Sequence, residues 1–298
     1  MTFEPASPGS SEWLRQALAF SRATGAPALA CAAGLRHASS SPFTLGFAPP
    51  PAPQRLGLVE VAMLADFALG GALRQRLGRT RPLPTLSLTL DLTGLPDVAG
   101  ARTLAEARDV AVAADGIGTA AGAIRSGNAV LGHCSATFAV PSGGSQAELP
   151  WDRPDPPSQD NHRSVDLGEL TPAERALFAA ARSAEAVGRS WCDQVVGTAM
   201  ADEDGTSVLV PSEVMTNRAG AVQGGVLFAA AARCGAPRDG ARSRLVSGTM
   251  RFLAGASAAK PIVLEPAVEH TTRRTLFTQV RLWQDGTVRA VAGLVHRR

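Results

Sequence analysis

The stretch Asn217-Arg-Ala-Gly220-Ala-Val-Gln223-Gly224-Gly225-Val-Leu-Phe-Ala-Ala-Ala-Ala-Arg-Cys decides the fold of this 298-residue chain. A polar turn leads into a pair of glycines, and an apolar, alanine-rich run of helical composition follows. The first N–H groups of a helix have no partner within the helix, and the helix dipole favours negative charge beside them. The side-chain amide of Asn217 can add a donor at the same place. The stretch is therefore either an ordinary turn into a helix or a site that stabilises a developing negative charge.

The elements around this stretch occur twice in the same order, which favours a tandem duplication. Each half combines strand-like segments, a long apolar helix and an antiparallel meander, with hairpin turns at Asp115-Gly116, Ser126-Gly127-Asn128 and Asp285-Gly286. In the first half the patterns predict a helix over 11–25, a weak strand region over 31–47, a helix over 57–78, and strands over 85–92, 103–114, 119–126 and 129–140. In the second half they predict a helix over 172–187, strands over 191–199 and 206–215, the Gly-Gly helix, and strands over 245–253, 262–270, 276–283 and 287–296.

A linker separates the two halves. Residues 141–165 are rich in Pro, Ser, Asp and Gly and have no periodicity. We therefore expect an N-terminal domain over 1–140, a linker over 141–165 and a C-terminal domain over 166–298.

Composition excludes several classes of protein. A net charge of +3, from 29 basic and 26 acidic residues, is too small to indicate a nucleic-acid partner, whereas the many arginines suit a phosphate-bearing ligand such as coenzyme A. No apolar run is long enough to span a membrane, and the N-terminus lacks the regions of a signal peptide, so we expect a cytoplasmic protein. The four cysteines are far apart and have no metal-ligand spacing, which indicates free thiols and predicts neither a metal nor another cofactor.

The motif Asn217-x-x-Gly220-x-x-Gln223-Gly224-Gly225 resembles the Asn-x-x-Gly-x-x-His-Gly-Gly motif of hotdog-fold acyl-CoA thioesterases of the phenylacetate-pathway type. It departs from that motif at Gln223, where the family usually has His. The resemblance covers both halves and implies an α+β fold. In this double hotdog, two antiparallel sheets would each wrap around a long central helix to form a pseudo-dimer.

The resemblance also implies a site shared between the halves. The family has an acidic residue nine positions after the His, where this chain has Ala232 in the second half and Asp66 in the first, counted from Gly57. Nine helical residues rise about 13–14 Å, so an acid must act with the N-terminus of the partner helix. One site would combine Asp66 and Thr85 with Asn217, Gln223, Gly224 and Gly225. The other would combine Ala232 with Pro51, Gly57 and Leu58, and we expect it to be vestigial.

Each of these residues has two interpretations. Asp66 is either the general base that activates water, or less plausibly a nucleophile, or else a structural carboxylate. Thr85 either holds the water or is an ordinary strand residue. Gln223 either donates to the substrate carbonyl or caps the helix, while Asn217 and Gly224 would hold the oxyanion. The arginines Arg251, Arg273 and Arg274 either meet phosphates of coenzyme A or form a solvated face.

The sequence therefore predicts a thioester hydrolase that acts on an acyl-CoA or acyl-carrier substrate at one composite site. A catalytically silent acyl-CoA-binding protein is an alternative because of Gln223 and the degenerate second site. A hotdog dehydratase or hydratase is a further alternative, although no His/Asp pair in the required arrangement is evident. Neither the acyl specificity nor the oligomeric state, for which a homodimer of such chains is one candidate, follows from the sequence.

Overall fold

The architecture was analysed in a computed structural model, which describes residues 8–48, 55–94, 103–155, 157, 159, 162–203, 206–237 and 243–298. The described helices are α1 (Pro8–Thr24), α2 (Ala28–Ala32), α3 (Leu58–Leu77), α4 (Pro172–Ala186), α5 (Trp191–Ala199) and α6 (Gly224–Cys234). The described strands are β1 (Leu35–Ser40), β2 (Phe43–Phe47), β3 (Thr85–Leu92), β4 (Thr103–Val112), β5 (Ile117–Ser126), β6 (Ala129–Ala139), β7 (Met200–Glu203), β8 (Thr206–Leu209), β9 (Arg244–Phe252), β10 (Ile262–Thr271), β11 (Thr275–Gln284) and β12 (Thr287–Arg297). Within the described ranges, no helix has the length and apolar character needed to cross a membrane.

The strands form one continuous sheet rather than the two sheets predicted from the sequence. Its order is β1-β2-β4-β5-β6-β3-β9-β12-β11-β10-β8-β7, so the two halves are mirror images in strand order about the β3–β9 contact. These two strands pair antiparallel, from Ser87 opposite Arg251 to Asp91 opposite Ser247. An unpaired strand edge leaves a row of backbone N–H and C=O groups without partners, and joining the two edges satisfies both rows. The α+β class and the helix-and-meander units are as predicted, but the sheets are fused.

The two central helices, α3 and α6, pack against each other and against this sheet. Helix α3 contacts strands of the first half and α6 contacts strands of the second. Where they cross, a Cβ atom on Gly225 would lie 2.8 Å from both the backbone nitrogen and Cγ of Met63, closer than side chains pack. Glycine at 225 is therefore what lets the helices approach. This close contact brings the start of each helix near the middle of the other.

The prediction of a strand over 191–199 is wrong. This segment is helix α5, and Ser190 caps it by accepting a hydrogen bond from the Asp193 N–H at 2.9 Å. The buried residues Trp191, Cys192, Val195 and Val196 follow helical spacing, with gaps of one and three, and not the alternation of a strand. The strands of that region are the short β7 and β8.

Part of the predicted linker is packed into the protein. Trp151 and Asp152 are buried, and Arg74 of α3 donates to both carboxylate oxygens of Asp152, at 2.6 and 3.1 Å. A buried ion pair in this bidentate geometry fixes the segment against the first half. The domain boundaries at 140 and 166 remain a prediction.

Candidate functional site

The start of α6 presents backbone donors without acceptors. Gln223 is the N-cap residue, and its carbonyl accepts from the N–H groups of Val226 and Leu227 at 3.0 and 3.1 Å. Among the described residues, no acceptor contacts the N–H groups of Gly224 and Gly225. The first turn contains no acidic side chain. This helix start therefore keeps the bare, partly positive donors that can hold an anionic oxygen.

The Asn217 turn is organised by its own side chain. Asn217 Oδ1 accepts from the N–H groups of Ala219 and Ala221, at 2.9 and 3.2 Å. Its backbone N–H donates to the Ala221 carbonyl, and Gly220, at a φ of 74°, completes the turn. Because Oδ1 is the atom that accepts, the orientation of the amide is set and Nδ2 is the donor left over.

A carboxylate and a hydroxyl from the first half face the start of α6. Thr85 Oγ1 donates to Asp66 Oδ1 at 2.9 Å, which joins the first residue of β3 to the middle of α3. Burial raises the pKa of Asp66, while the Thr85 hydrogen bond and the positive charge of Arg74 act in the opposite direction. Since neither Asp66 nor Thr85 is fully buried, both side chains can be reached from outside.

One pocket of about 250 Å³ brings five of the six predicted site residues together. We call it the Asp66 pocket. Its lining consists of Asp66, Phe67, Pro84, Thr85, Leu86, Asn217, Ala221, Val222, Gln223, Gly224, Leu227, Phe252, Leu253, Ala254, Gly255 and Ala256. The sixth predicted residue, Gly225, lies behind this surface, where it forms the crossing with α3. The residues of the two halves thus meet in one place, although Asp66 and Gly224 are 158 positions apart (224 − 66).

Gln223 has an unusual environment. Its side chain is 2% exposed, lines the Asp66 pocket, and has no hydrogen-bond partner for either Oε1 or Nε2 in the described part of the chain. Although Gln223 occupies the N-cap position, its side chain makes no hydrogen bond to the helix, so the side-chain capping that the sequence allowed is not observed. Buried amides without partners cost about 1–3 kcal/mol each, and such groups are typical of positions that bind a ligand or a water.

The equivalent position in the other half is closed by a carboxylate that the sequence analysis missed. Asp193, from α5, accepts from the N–H groups of Leu58 and Val59 at 3.1 and 2.8 Å and thereby caps α3. A Cβ at position 57 would lie 2.0 Å from Asp193 Oδ2, so a larger residue there would displace the carboxylate from these amides. Ala232 lies on α6 where α3 has Asp66, as predicted, and Pro51 lies outside the described residues.

A second carboxyl group lies beside Asp193. Glu60 accepts from the Gly57 N–H at 3.0 Å, from the Cys192 N–H at 3.2 Å and from the Ser190 hydroxyl at 2.5–2.7 Å. Burial, and after it the negative charge of Asp193, raises the pKa of Glu60 to about 7. Burial also raises the pKa of Asp193, and the Val59 and Leu58 amides oppose that change. Two interacting carboxyls at one helix start make this a structural junction between α3 and α5.

Most of the pocket wall consists of residues that the sequence did not predict. Phe67 and the segment 252–256, which begins at the last residue of β9, line the Asp66 pocket. The end of a strand carries no local sequence signal for a pocket. For Phe67 the available signal was its position directly after Asp66 in the sequence. The arginines Arg251, Arg273 and Arg274 are exposed and are not among the residues that line this pocket.

Comparison with known proteins gives matches in structure only. No protein-family model and no curated protein matches the chain. A protein from Lactobacillus plantarum named as an oleoyl thioesterase superposes with a TM-score of 0.52 at 11% identity, over 82% of this chain and 89% of that one. An acyl-ACP thioesterase from Bacteroides thetaiotaomicron superposes with a TM-score of 0.51 at 10% identity, over 85% of this chain and 96% of that one. At this level of identity the match establishes the fold, which is the hotdog fold that the Asn217 motif predicts.

Proposed function

We propose that this protein hydrolyses an acyl thioester in the Asp66 pocket. The observation that carries the proposal is the meeting of a Thr85-bound carboxylate with the bare N-terminus of α6 in that pocket. One element supplies a base and the other supplies donors for an oxyanion. Hydrolysis of a carbonyl compound needs both, on opposite sides of the reacting carbon.

The donors would bind the carbonyl oxygen of the thioester. The Gly224 N–H and the Asn217 amide stabilise the negative charge that forms on this oxygen as the tetrahedral intermediate develops. The helix dipole of α6 adds to their effect. Gln223, whose amide is buried and unpartnered in the pocket, can donate to the same oxygen and gains the hydrogen bond that it lacks.

The base would act on water. Asp66 takes a proton from a water molecule, and the water oxygen attacks the carbonyl carbon while Thr85 keeps the carboxylate in place. Collapse of the intermediate breaks the C–S bond, and the proton held by Asp66 passes to the departing thiolate. The products are a carboxylic acid and a thiol. Apart from the water molecule, every group that these steps need is a described side chain or backbone amide of the chain.

Apolar side chains give the pocket room for an acyl group. Phe67, Leu227 and Phe252 line it alongside the polar residues. We infer an acyl-CoA or an acyl-carrier thioester as the substrate. The Bacteroides thetaiotaomicron protein, an acyl-ACP thioesterase, supports this class of substrate for a chain of the same fold.

We propose that this is the chain's single active site. At the equivalent place in the other half, Ala232 replaces the base, and Asp193 occupies the amides that would hold the oxyanion. A carboxylate there repels an oxyanion and competes with it for both donors.

The test is the release of free thiol from a panel of acyl-CoAs and acyl-carrier thioesters. Removal of a general base lowers rates by about 10²–10⁴-fold, so Asp66→Asn should lose at least about a hundredfold in kcat/KM. Asp109→Asn, an exposed aspartate on β4, is the matched control and should retain full activity. Turnover of no thioester by the wild type, with acyl-CoA still binding, would support the silent binding protein instead. An Asp66→Asn variant as active as wild type would remove the proposed mechanism.

A further inference from the structure

A second pocket of about 250 Å³ lies at the place where the other composite site would be, and we call it the Arg233 pocket. It lies between the start of α3 and the later turns of α6, whereas the Asp66 pocket lies between the start of α6 and the middle of α3. An apolar cavity of about 150 Å³ holds the six carbons of benzene, so this pocket has room for a chain of about eight carbons. Apolar side chains form much of its wall, among them Leu58, Val196, Ala229 and Leu245.

The two pockets differ in charge at corresponding positions of their helices. Ala232 is the ninth residue of α6, as Asp66 is the ninth residue of α3, so the carboxylate of the Asp66 pocket is replaced by a methyl group. The residue that follows is Phe67 on α3 and Arg233 on α6, and each of them lines the pocket on its own side. The Arg233 pocket has therefore lost an acid and gained a guanidinium group on the same framework.

The guanidinium of Arg233 rests on α5 and has no acidic partner in contact. A Cβ built on Gly197 of α5 would lie 2.9 Å from Nη1 of Arg233 and 3.6 Å from its Nη2, so the end of this side chain lies against the helix backbone. Within the described ranges, the guanidinium makes no hydrogen bond and no contact ion pair. Arg233 is exposed at the edge of the pocket, so a ligand inside the pocket can reach its charge.

The other charges at this place also favour an anion. Asp193 is the one acidic residue that lines the pocket, and the first two amides of α3 bind both of its carboxylate oxygens. Arg244 lines the pocket as a second cation. On its other side, Arg233 borders a polar hollow of about 450 Å³, which Arg55 and Arg189 also line. The positive charges outnumber the negative one, and such an excess in a cleft attracts anions.

We propose that the Arg233 pocket is a second, non-hydrolytic binding site for an apolar carboxylate such as octanoate. The chain replaces water against the apolar wall, and the carboxylate accepts hydrogen bonds from the planar guanidinium of Arg233, whose fork suits two oxygens. Hydrolysis does not occur here because the pocket has no equivalent of Asp66 and the amides of α3 are bound to Asp193. The acid that the proposed hydrolysis releases belongs to this class of ligand, but the site is tested by binding alone and does not depend on that reaction.

The test uses isothermal titration of the full chain with octanoate, 1-octanol and octylammonium, which have the same chain and differ in the charge of the head group. Loss of a charge-assisted hydrogen bond at a partly exposed site typically costs a factor of about ten in affinity, so octanoate should bind about tenfold more tightly than octanol. Added salt should narrow this difference, because it screens the exposed charge of Arg233. Absence of octanoate binding, equal affinity for octanoate and octanol, or tighter binding of octylammonium would overturn the proposal.

Variants assign the binding to this pocket. Arg233→Gln should lower the affinity for octanoate about tenfold and leave the affinity for octanol unchanged. Arg281→Gln, at an exposed arginine of β11 that lines neither pocket, is the matched control and should bind octanoate as the wild type does. Ala236→Leu fills the pocket from just beyond the end of α6 and should abolish the binding of both ligands.

Asp66→Asn separates the two pockets, and it should bind octanoate with the affinity of the wild type. Loss of octanoate binding in Asp66→Asn, or an unchanged affinity in Arg233→Gln, would place the ligand elsewhere and refute the assignment. Absence of thioester hydrolysis by the wild type, with octanoate binding and its dependence on Arg233 intact, would remove the proposed function and leave this site standing.

Discussion

The hydrogen bond from Thr85 to Asp66 offers a quantitative test of the proposed base. Its length of 2.9 Å and its charged acceptor place it among hydrogen bonds that contribute about 1.5–3 kcal/mol. A change of one pKa unit corresponds to about 1.4 kcal/mol. Thr85 is only partly buried, so the lower end of this range applies. The bond holds the pKa of Asp66 down against the burial that raises it. Thr85→Val, which keeps the shape and removes the donor, should therefore raise the pKa of Asp66.

The sign of the effect on activity follows from the role of Asp66. A general base must be ionised, so activity falls as the pH drops through the pKa of Asp66. A raised pKa moves this acid limb of the kcat/KM profile to higher pH. The loss of a hydrogen bond worth about 1.5 kcal/mol corresponds to a factor of about ten, so Thr85→Val should be about tenfold slower on this limb at a given pH. The decrease in kcat/KM of Thr85→Val on the pH-independent plateau reports separately on how Thr85 holds the water.

The assay is a pH profile of thiol release, together with a titration of the Asp66 carboxyl by carbon NMR. Thr85→Ser should restore the wild-type profile. Thr89→Val is the matched control, because its hydroxyl lies on the same strand and pairs with Thr249 at 3.0 Å outside the pocket. An acid limb that stays in place or moves to lower pH in Thr85→Val would refute the proposed role of the bond. An NMR titration that moves without the limb would show that Asp66 is not the base.

Three further predictions concern stability and are measured by urea unfolding. Asp193→Ala removes the cap of α3 and should lower the free energy of unfolding by about 1–2 kcal/mol. An unchanged midpoint of the urea unfolding transition would contradict the capping role. Burial and Asp193 raise the pKa of Glu60 to about 7, so the folded protein binds more protons than the unfolded chain between about pH 4.5 and 7. The free energy of unfolding should therefore fall as the pH rises through this window, and Glu60 contributes at most about 1.4 kcal/mol per pH unit to that fall. Glu60→Gln should make that slope shallower, and an identical slope would count against the assignment. Gly225→Ala puts a Cβ within 2.8 Å of the Met63 backbone nitrogen and forces α3 and α6 apart, so it should lower the free energy of unfolding by about 1–3 kcal/mol. An unchanged free energy of unfolding would contradict the close crossing of the two helices.

The sequence predicts the elements that have strong local signals. Helix α3 ends before Gly78 as expected, β3 spans Thr85–Leu92 as its strict alternation indicates, and α6 begins at the Gly-Gly pair. The composite site remains a prediction that the resemblance to hotdog-fold thioesterases implies. Helix geometry is consistent with it, because nine residues of rise separate an acid from the start of its own helix.

Features that depend on distant contacts could not be predicted in this way. The two sheets become one because the edges of β3 and β9 pair with each other. This pairing cannot be recognised from the sequence of either strand. Helix α5 was mistaken for a strand because Trp191, Val195 and Val196 are also good strand residues. Its local signal was the capping pattern Ser190-x-x-Asp193, which gives the start of a helix but not the second role of Asp193. That role is a contact between α5 and α3, 134–135 positions apart.

The two helix starts act as a comparison within one molecule. At α3 two backbone amides hold a carboxylate oxygen each, at 2.8 and 3.1 Å, which are distances that suit a bound oxyanion. At α6 the corresponding amides lack an acceptor among the described residues, and a buried amide side chain without a partner lies beside them. The buried, unpartnered amide of Gln223 costs stability, and α3 shows that this fold can satisfy the donors of a helix start with one aspartate. This cost in stability occurs at the start of α6, which faces Asp66. Backbone amides without acceptors can take part in hydrolysis at that place. Occupied amides at α3 and open amides at α6 therefore support an active site in the Asp66 pocket better than the sequence motif alone does.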